Sequence, residues 1–377
     1  MGLRTQVVRR IEEVRPQDWL RIYPPVLESY HFFKSLDESH FEQFRFYYIL
    51  VFDRDDLVGL APSFLMNYPL ETTVQGTLRK FLAGIQKIFP GLLNLRALIC
   101  GLPMGPGRVG ICGENRVGVL KAILESMDQI AGKEKIPIMA LKDFDRKDAD
   151  LLDPLQQEGF YKFMSLPNTE LGISFKSFDQ YLETLSSASR YDLRRKFKKV
   201  DGHVKMELEV SSQLNESTLR EVHGLYLQTS SRSEIQFENV PPDFFENVSK
   251  NMPRETKYFL WRIDKKLVAF TFCLVSEDRL IDYYLGLDYS VAFQYHLYFV
   301  RFRDLLKWCI DNKIKVYEMG NTSYEPKRRL GFEFVPLYVY AKHRNRWMNP
   351  FFKLLCRALK PDNFDSTYQG IEKKGPS

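Results

Sequence analysis

The sequence predicts an α/β (α+β) chain in which one plan is used twice, each half a mixed β-sheet flanked by helices. Residues 46–64 (FYYILVFDRDDLVGLAPSF) and 257–272 (KYFLWRIDKKLVAFTF) are aromatic-rich β runs, each broken by a charged turn and resumed at Leu-Val. Each is followed, in the same order, by an amphipathic helical stretch, a short strand and a Gly-Phe dipeptide. Self-similarity in a fixed order signals duplication.

The elements follow in turn. The first hairpin turns at Asp53-Arg54-Asp55-Asp56. Val119, Ile123, Met127 and Ile130 recur at helical spacing and predict a helix over 116–131. A strand at 137–141 and Glu158-Gly159-Phe160 complete the first series, and the join falls within 167–175. Helices are predicted over 178–200 and 213–228, and a third after Val240-Pro241-Pro242-Asp243, where proline suits the first helical turn. The second hairpin turns at Asp264-Lys265-Lys266. A helix over 293–311 with Leu297, Val300, Leu305 and Trp308 inward, a strand at 315–319 and Leu330-Gly331-Phe332 close the second series. The predicted division is 1–168, 169–345 and a basic amphipathic tail, 346–377.

Composition narrows the function classes. Over 377 residues, 44% hydrophobic and 27% charged content is ordinary globular usage, which excludes disordered, collagenous and small disulfide-stapled chains. The net charge, 54 − 48 = +6, is mild, so any case for nucleic acid rests on where the charges lie. The five cysteines include no CxxC pair and lie away from histidines at ligand spacing, so no metal site is expected and free thiols in a reducing cytosol are. The start of the chain has no apolar core of a secretory signal, and no window of about 19 residues is free of charge. These readings predict a cytoplasmic protein with no transmembrane helix.

Several constellations carry chemistry. Lys327 lies in Tyr324-Glu325-Pro326-Lys327-Arg328-Arg329, a cation run that suits a phosphate or a developing oxyanion, or else is a solvated turn. Arg190, Arg194 and Lys198 share one helical face opposite Leu182, Leu185, Leu193, Phe197 and Val200. That stripe suits an anionic donor, or is simply a wet face. Asp282 and Tyr284 lie on a predicted strand before His296, and Glu318 ends another. A carboxylate or imidazole can take the proton of an attacking ammonium, so Glu318 and His296 are rival bases. Gly105-x-Gly107-x-x-Gly110 matches a dinucleotide fingerprint as text, but Pro106 lies inside it and a full βαβ context is missing. A tight turn or a substrate-lining loop is the better reading.

Two segments have a basic polar face opposite an apolar one. In 78–89, Leu78, Phe81, Leu82, Ile85, Ile88 and Phe89 oppose Arg79, Lys80, Gln86 and Lys87. From Asn349-Pro350 onward, Phe351, Phe352, Leu355 and Leu359 oppose Lys353, Arg357 and Lys360. This is the pattern of a helix lying in a membrane interface, or of one packed on the protein with a wet basic face. Arg79, Lys80, Phe81, Ile85, Phe351, Phe352 and Lys353 are therefore the expected contacts to an anionic membrane surface.

The hairpin–helix–strand–Gly-Phe series resembles the acyl-transferring half of the GNAT superfamily. The stretches 186–200 (SSASRYDLRRKFKKV) and 318–336 (EMGNTSYEPKRRLGFEFVP) resemble the tandem-GNAT group that holds Fem-type peptidyltransferases and bacterial lipid N-acyltransferases. The resemblance covers roughly residues 5–345 and implies two tandem GNAT-like domains. It implies transfer of an acyl or aminoacyl group to an amine. The donor would be acyl-CoA, as co-substrate rather than permanent cofactor, or a charged tRNA. The acceptor would be a lipid-linked amine or cell-envelope precursor at the inner face of the membrane. A non-catalytic peripheral membrane module is the remaining alternative. The sequence departs from ordinary GNAT enzymes in two places. The pyrophosphate loop, Gln or Arg before Gly-x-Gly, is absent at 287–299, and at 102–107 Leu102 holds its first position. Four residues before the Gly of Gly-Phe, where a catalytic Tyr often stands, this chain has Lys327 and Leu155. The first half therefore reads as catalytically empty and the second as the working half. Lys327, Glu318 and His296 are its catalytic candidates, and Arg190, Arg194, Asp282, Tyr284, Asn321, Tyr324 and Arg328 its substrate-binding ones.

Overall fold

The computed structural model describes residues 2–69, 94–233, 238–321 and 324–358. The chain forms two compact units. One takes the chain up to Pro167 and again from Pro336; the other takes Asn168–Ser233 and Val240–Val335.

In the first unit, β1 (Arg4–Val8), β2 (Phe44–Asp53), β3 (Asp56–Pro69), β4 (Asn94–Cys100) and β6 (Ile138–Asp145) lie in that order, and β5 (Gly110–Ile111) pairs with β3. Beyond β6 the order continues β15 (Leu337–His343), then β7 (Tyr161–Met164). The second unit's order is β14 (Glu333–Val335), β8 (Asn168–Gly172), β13 (Val316–Glu318), β12 (Arg279–Leu287), β11 (Lys266–Val275), β10 (Thr256–Ile263), β9 (Glu207–Ser211). Each sheet holds one parallel pair, β4 with β6 and β12 with β13, among antiparallel neighbours. A parallel pair needs a crossover, and a helix supplies it each time: Arg116–Lys133 in the first unit, Leu297–Asp311 in the second.

The local chemistry explains these elements. Both hairpins close on two residues, pairing Asp53 with Asp56 and Ile263 with Lys266. In the second, Asp264 and Lys265 take φ of 47° and 67°, the mirror-type turn whose twist matches the strands. Val119, Ile123, Met127 and Ile130 are all buried against the first sheet, and Asn115 caps their helix by accepting from the N–H of Gly118. The helix expected over 178–200 is two, Phe178–Thr184 and Ser187–Asp201. It breaks at Ser186, whose hydroxyl accepts from the N–H of Ser189 and starts the second helix.

One boundary differs from the sequence reading. The strand Leu337–His343, assigned there to the second half (169–345), pairs with β6 and β7 of the first sheet. In the second sheet the corresponding place next to the edge is filled by β8, which pairs with β13 and β14. The first sheet thus takes the strand next to its edge from the C-terminal stretch of sequence.

Within 105–110, Gly107 and Gly110 serve packing, while Gly105 takes a φ of 129°. A Cβ on Gly107 would lie 1.9 Å from the carbonyl oxygen of Lys142 and 2.8 Å from the Phe144 ring. The Gly107 N–H donates to the carbonyl of Asp143 at 2.9 Å, so the loop lies flat on β6. Gly107→Ala is expected to destabilise the protein by about 2–3 kcal/mol through overpacking against backbone, read as a lowered denaturant midpoint.

Candidate active site

The second unit gathers the titratable groups. Glu318 ends β13, and its carboxylate is tied on both oxygens: the Asn168 amide donates to Oε1 at 2.6 Å and Arg279 to Oε2 at 2.7 Å. Arg279 also reaches Glu170 at 2.8 Å, so a guanidinium from β12 bridges two carboxylates from β8 and β13.

Just past Glu318 the chain turns through Gly320 into the short helix Tyr324–Arg329. Its spacing points Lys327 inward and leaves Arg328 exposed. Lys327 is 4% exposed. Its Nζ donates to the carbonyls of Met319 and Gly320. The Thr169 hydroxyl lies 2.9 Å from each of the same two oxygens. Burial is the main force on this amine and pulls its pKa from 10.5 down to about 7; Asp282 and Glu318 oppose that shift and Arg301 assists it. Tyr324 is buried and donates its hydroxyl to the carbonyl of Asn321 at 2.6 Å.

Beneath this helix lies a buried ion pair. Arg301, on the crossover helix Leu297–Asp311, donates to Asp282 of β12 and, at 3.1 Å, to the hydroxyl of Thr271. Tyr317 adds a hydroxyl donor to Asp282 at 3.0 Å. Arg301 and Tyr317 are fully buried. Among the described residues, the Nε and Nη2 of Arg301 and the hydroxyl of the neighbouring Tyr298 have no hydrogen-bond partner.

Lys327, Glu318 and Asp282 therefore share one electrostatic neighbourhood. His296 lies elsewhere. It precedes the crossover helix in a left-handed conformation (φ 48°) and faces Lys199, Lys196 and Arg195 of the basic helix Ser187–Asp201. Partial burial, then Lys199 and Lys196, lower its pKa, and Asp192 opposes that shift. On that basic helix Leu193, Phe197 and Val200 are buried, Arg190 is half-buried, and Arg194 and Lys198 are exposed. Tyr284 is half-buried with ring contacts to Tyr226, Phe244, Phe245 and Phe272.

Sequence reading passed over Arg301, Tyr317, Asn168 and Thr169. Arg301 had a signal: it falls between Leu297 and Leu305 at four-residue spacing, a cation on a core stripe.

The membrane-contact expectations divide. Arg79, Lys80, Phe81 and Ile85 lie outside the described residues. In the helix Asn349–Ala358, Phe351 and Lys353 are exposed, but Phe352 turns inward beside His343 and is half-buried. The helix docks on β15 and β7, so its inner side takes Phe352, Leu355 and Cys356. Among the described residues, no helix is long and apolar enough to cross a membrane.

This architecture has known counterparts. A tandem GNAT protein from the clavulanic acid biosynthesis pathway superposes with TM-score 0.55 at 10% identity, covering 91% of this chain and 98% of that one. FemX superposes with TM-score 0.52 at 12% identity, covering 83% of this chain and 90% of its own. At these identities the likeness establishes the fold, two tandem GNAT domains. In sequence, a Mycobacterium tuberculosis protein named for 8-amino-7-oxononanoate synthesis is 23% identical over 328 residues. The match takes in 84% of this chain but only 42% of that relative's length. The FemAB-like family model, described as peptidoglycan biosynthesis/recognition, matches residues 97–359, which include the Lys327 site and both crossover helices. That match runs over most of the chain, and the protein belongs to the FemAB-like family.

Proposed function

We propose that the second unit transfers an acyl group from acyl-CoA, or a similar thioester, to the amine of a lipid or cell-envelope precursor at the cytoplasmic face of the inner membrane. The observation that carries this reading is the state of Lys327. As a neutral amine it has two N–H bonds and one lone pair. The carbonyls of Met319 and Gly320 accept both N–H groups, which leaves the lone pair to take a proton. A pKa of about 7 is what a base needs at neutral pH. Glu318 is less suited, since both its oxygens already accept from Asn168 and Arg279. The acceptor amine attacks the thioester carbonyl and Lys327 removes a proton from the attacking nitrogen. The resulting ammonium faces the oxyanion, then returns the proton to the departing thiolate. Asn321, Tyr324 and Arg328 would border the acceptor, while Arg190, Arg194 and His296 would meet the donor's phosphates.

The pH dependence tests the role. With Lys327 as base, kcat/KM rises about tenfold per pH unit below about 7 and levels above it. A profile that falls through 7 would instead make the ammonium the working form.

The exposed cations of Ser187–Asp201 favour a second donor, a charged tRNA. Transfer from tRNA would weaken steeply between about 50 and 200 mM salt, and transfer from acyl-CoA far less. Parallel assays with an acyl-CoA series and a charged tRNA separate the two; turnover of neither, with cellular function intact in a Lys327→Met, Glu318→Gln double variant, would leave a non-catalytic module.

A further inference from the structure

We propose that the C-terminal segment is an interfacial membrane anchor whose inserting side chains are Trp347, Met348, Phe351 and Leu354. These four are 72%, 46%, 68% and 64% exposed. Trp347, Phe351 and Leu354 fall at i, i+4 and i+7, one stripe of the helix Asn349–Ala358 and the turn before it. The stripe is held in place. Asn349 donates to the carbonyl of Gly159 at 2.7 Å and accepts from the N–H of His343 at 2.9 Å. On the opposite side Cys356 is buried and Phe352 and Leu355 are half-buried. A firmly seated helix thus presents aromatic and aliphatic groups outward, where water gains nothing from them.

Charge identifies the occupant. Residues 342–360 carry six Lys or Arg and no Asp or Glu. Arg344 is spent on Asp128 at 2.7 Å. Arg346, Lys353 and Arg357 are exposed around the stripe, Arg346 with its guanidinium 4.8 Å from the centre of the Trp347 ring. A second copy of the chain would bring two sets of like charges together. An anionic bilayer surface neutralises them while taking the Trp, Phe and Leu side chains into the headgroup boundary. The inference shares the membrane location of the proposed function but not its chemistry.

The test uses lipid binding alone, so a negative result leaves the acyl-transfer reading standing. The full chain is sedimented with vesicles of phosphatidylglycerol and phosphatidylcholine, and with phosphatidylcholine alone. The chain has four tryptophans. Trp19 and Trp261 are buried and Trp308 half-buried, so a blue shift of emission on binding reports Trp347. The expected result is binding to the anionic vesicles with a blue shift that Trp347→Phe abolishes. Phe351→Glu with Leu354→Glu should lower partitioning by at least about tenfold at an unchanged melting temperature, and Lys353→Glu with Arg357→Glu should remove the preference for phosphatidylglycerol. Failure to bind anionic vesicles, binding that the Phe351/Leu354 double variant leaves intact, or equal binding to neutral vesicles would overturn the proposal. So would a concentration-dependent dimer, dissolved by that double variant, without vesicle binding.

Discussion

Replacing Lys327 with methionine is expected to make the protein more stable and nearly inactive. The methionine keeps the stem in its apolar slot and removes an amine that is costly to bury. The loss at the carbonyls of Met319 and Gly320 is limited, since the single Thr169 hydroxyl proton lies within hydrogen-bonding distance of both and can serve one of them. Thermal denaturation at pH 6–7 should show the variant at or above the parent. Acyl transfer should fall about 10²- to 10⁴-fold, the loss of a positioned base. The sign of the pH dependence follows from linkage. Between about 7 and 10.5 the unfolded chain holds a proton on Lys327 that the folded chain has released. Stability of the parent therefore rises over that window, by roughly 5 kcal/mol at most, and this component is absent in Lys327→Met. A variant that lost stability and activity together would make Lys327 a structural residue.

The second large effect belongs to the ion pair beneath the site. Arg301→Met leaves the Asp282 carboxylate buried with only the Tyr317 hydroxyl among its named partners. The expected cost is about 3–5 kcal/mol in denaturant unfolding. Arg301→Met combined with Asp282→Leu should recover most of it, because the parent already leaves Nε and Nη2 of Arg301 unsatisfied. A double-mutant cycle measures the coupling; additivity within about 0.5 kcal/mol would mean the two residues do not support one another.

Local pattern made much of the fold readable. Hairpins, crossover helices and caps are written in periods of two and 3.6 and in turn residues, so 46–64, 257–272 and the helix containing Val119 through Ile130 were legible. Partner choice was not. The strands 168–172 and 337–343 were not located by the sequence reading, and nothing in a strand's alternation says which sheet takes it. Lys327 stood out as a cation beside Gly-Phe, yet its burial depends on Met319, Gly320 and Thr169, the last more than a hundred residues away in sequence. Arg301 was hidden inside an apolar helix stripe, and in Asn349–Ala358 the pattern grouped Phe351 with Phe352, whereas Phe351 is exposed and Phe352 half-buried.

The returning strand Leu337–His343 has a consequence for what counts as a separable part. A fragment ending at Pro167 lacks the strand that joins β6 to β7, and a fragment starting at Asn168 carries that strand with no sheet to receive it. In the first sheet the missing strand lies one position in from the edge, so its loss cuts the sheet rather than trimming it. The N-terminal stretch is therefore expected not to fold as an independent domain without residues 337–343, whereas the strands of the second sheet all lie within 168–335.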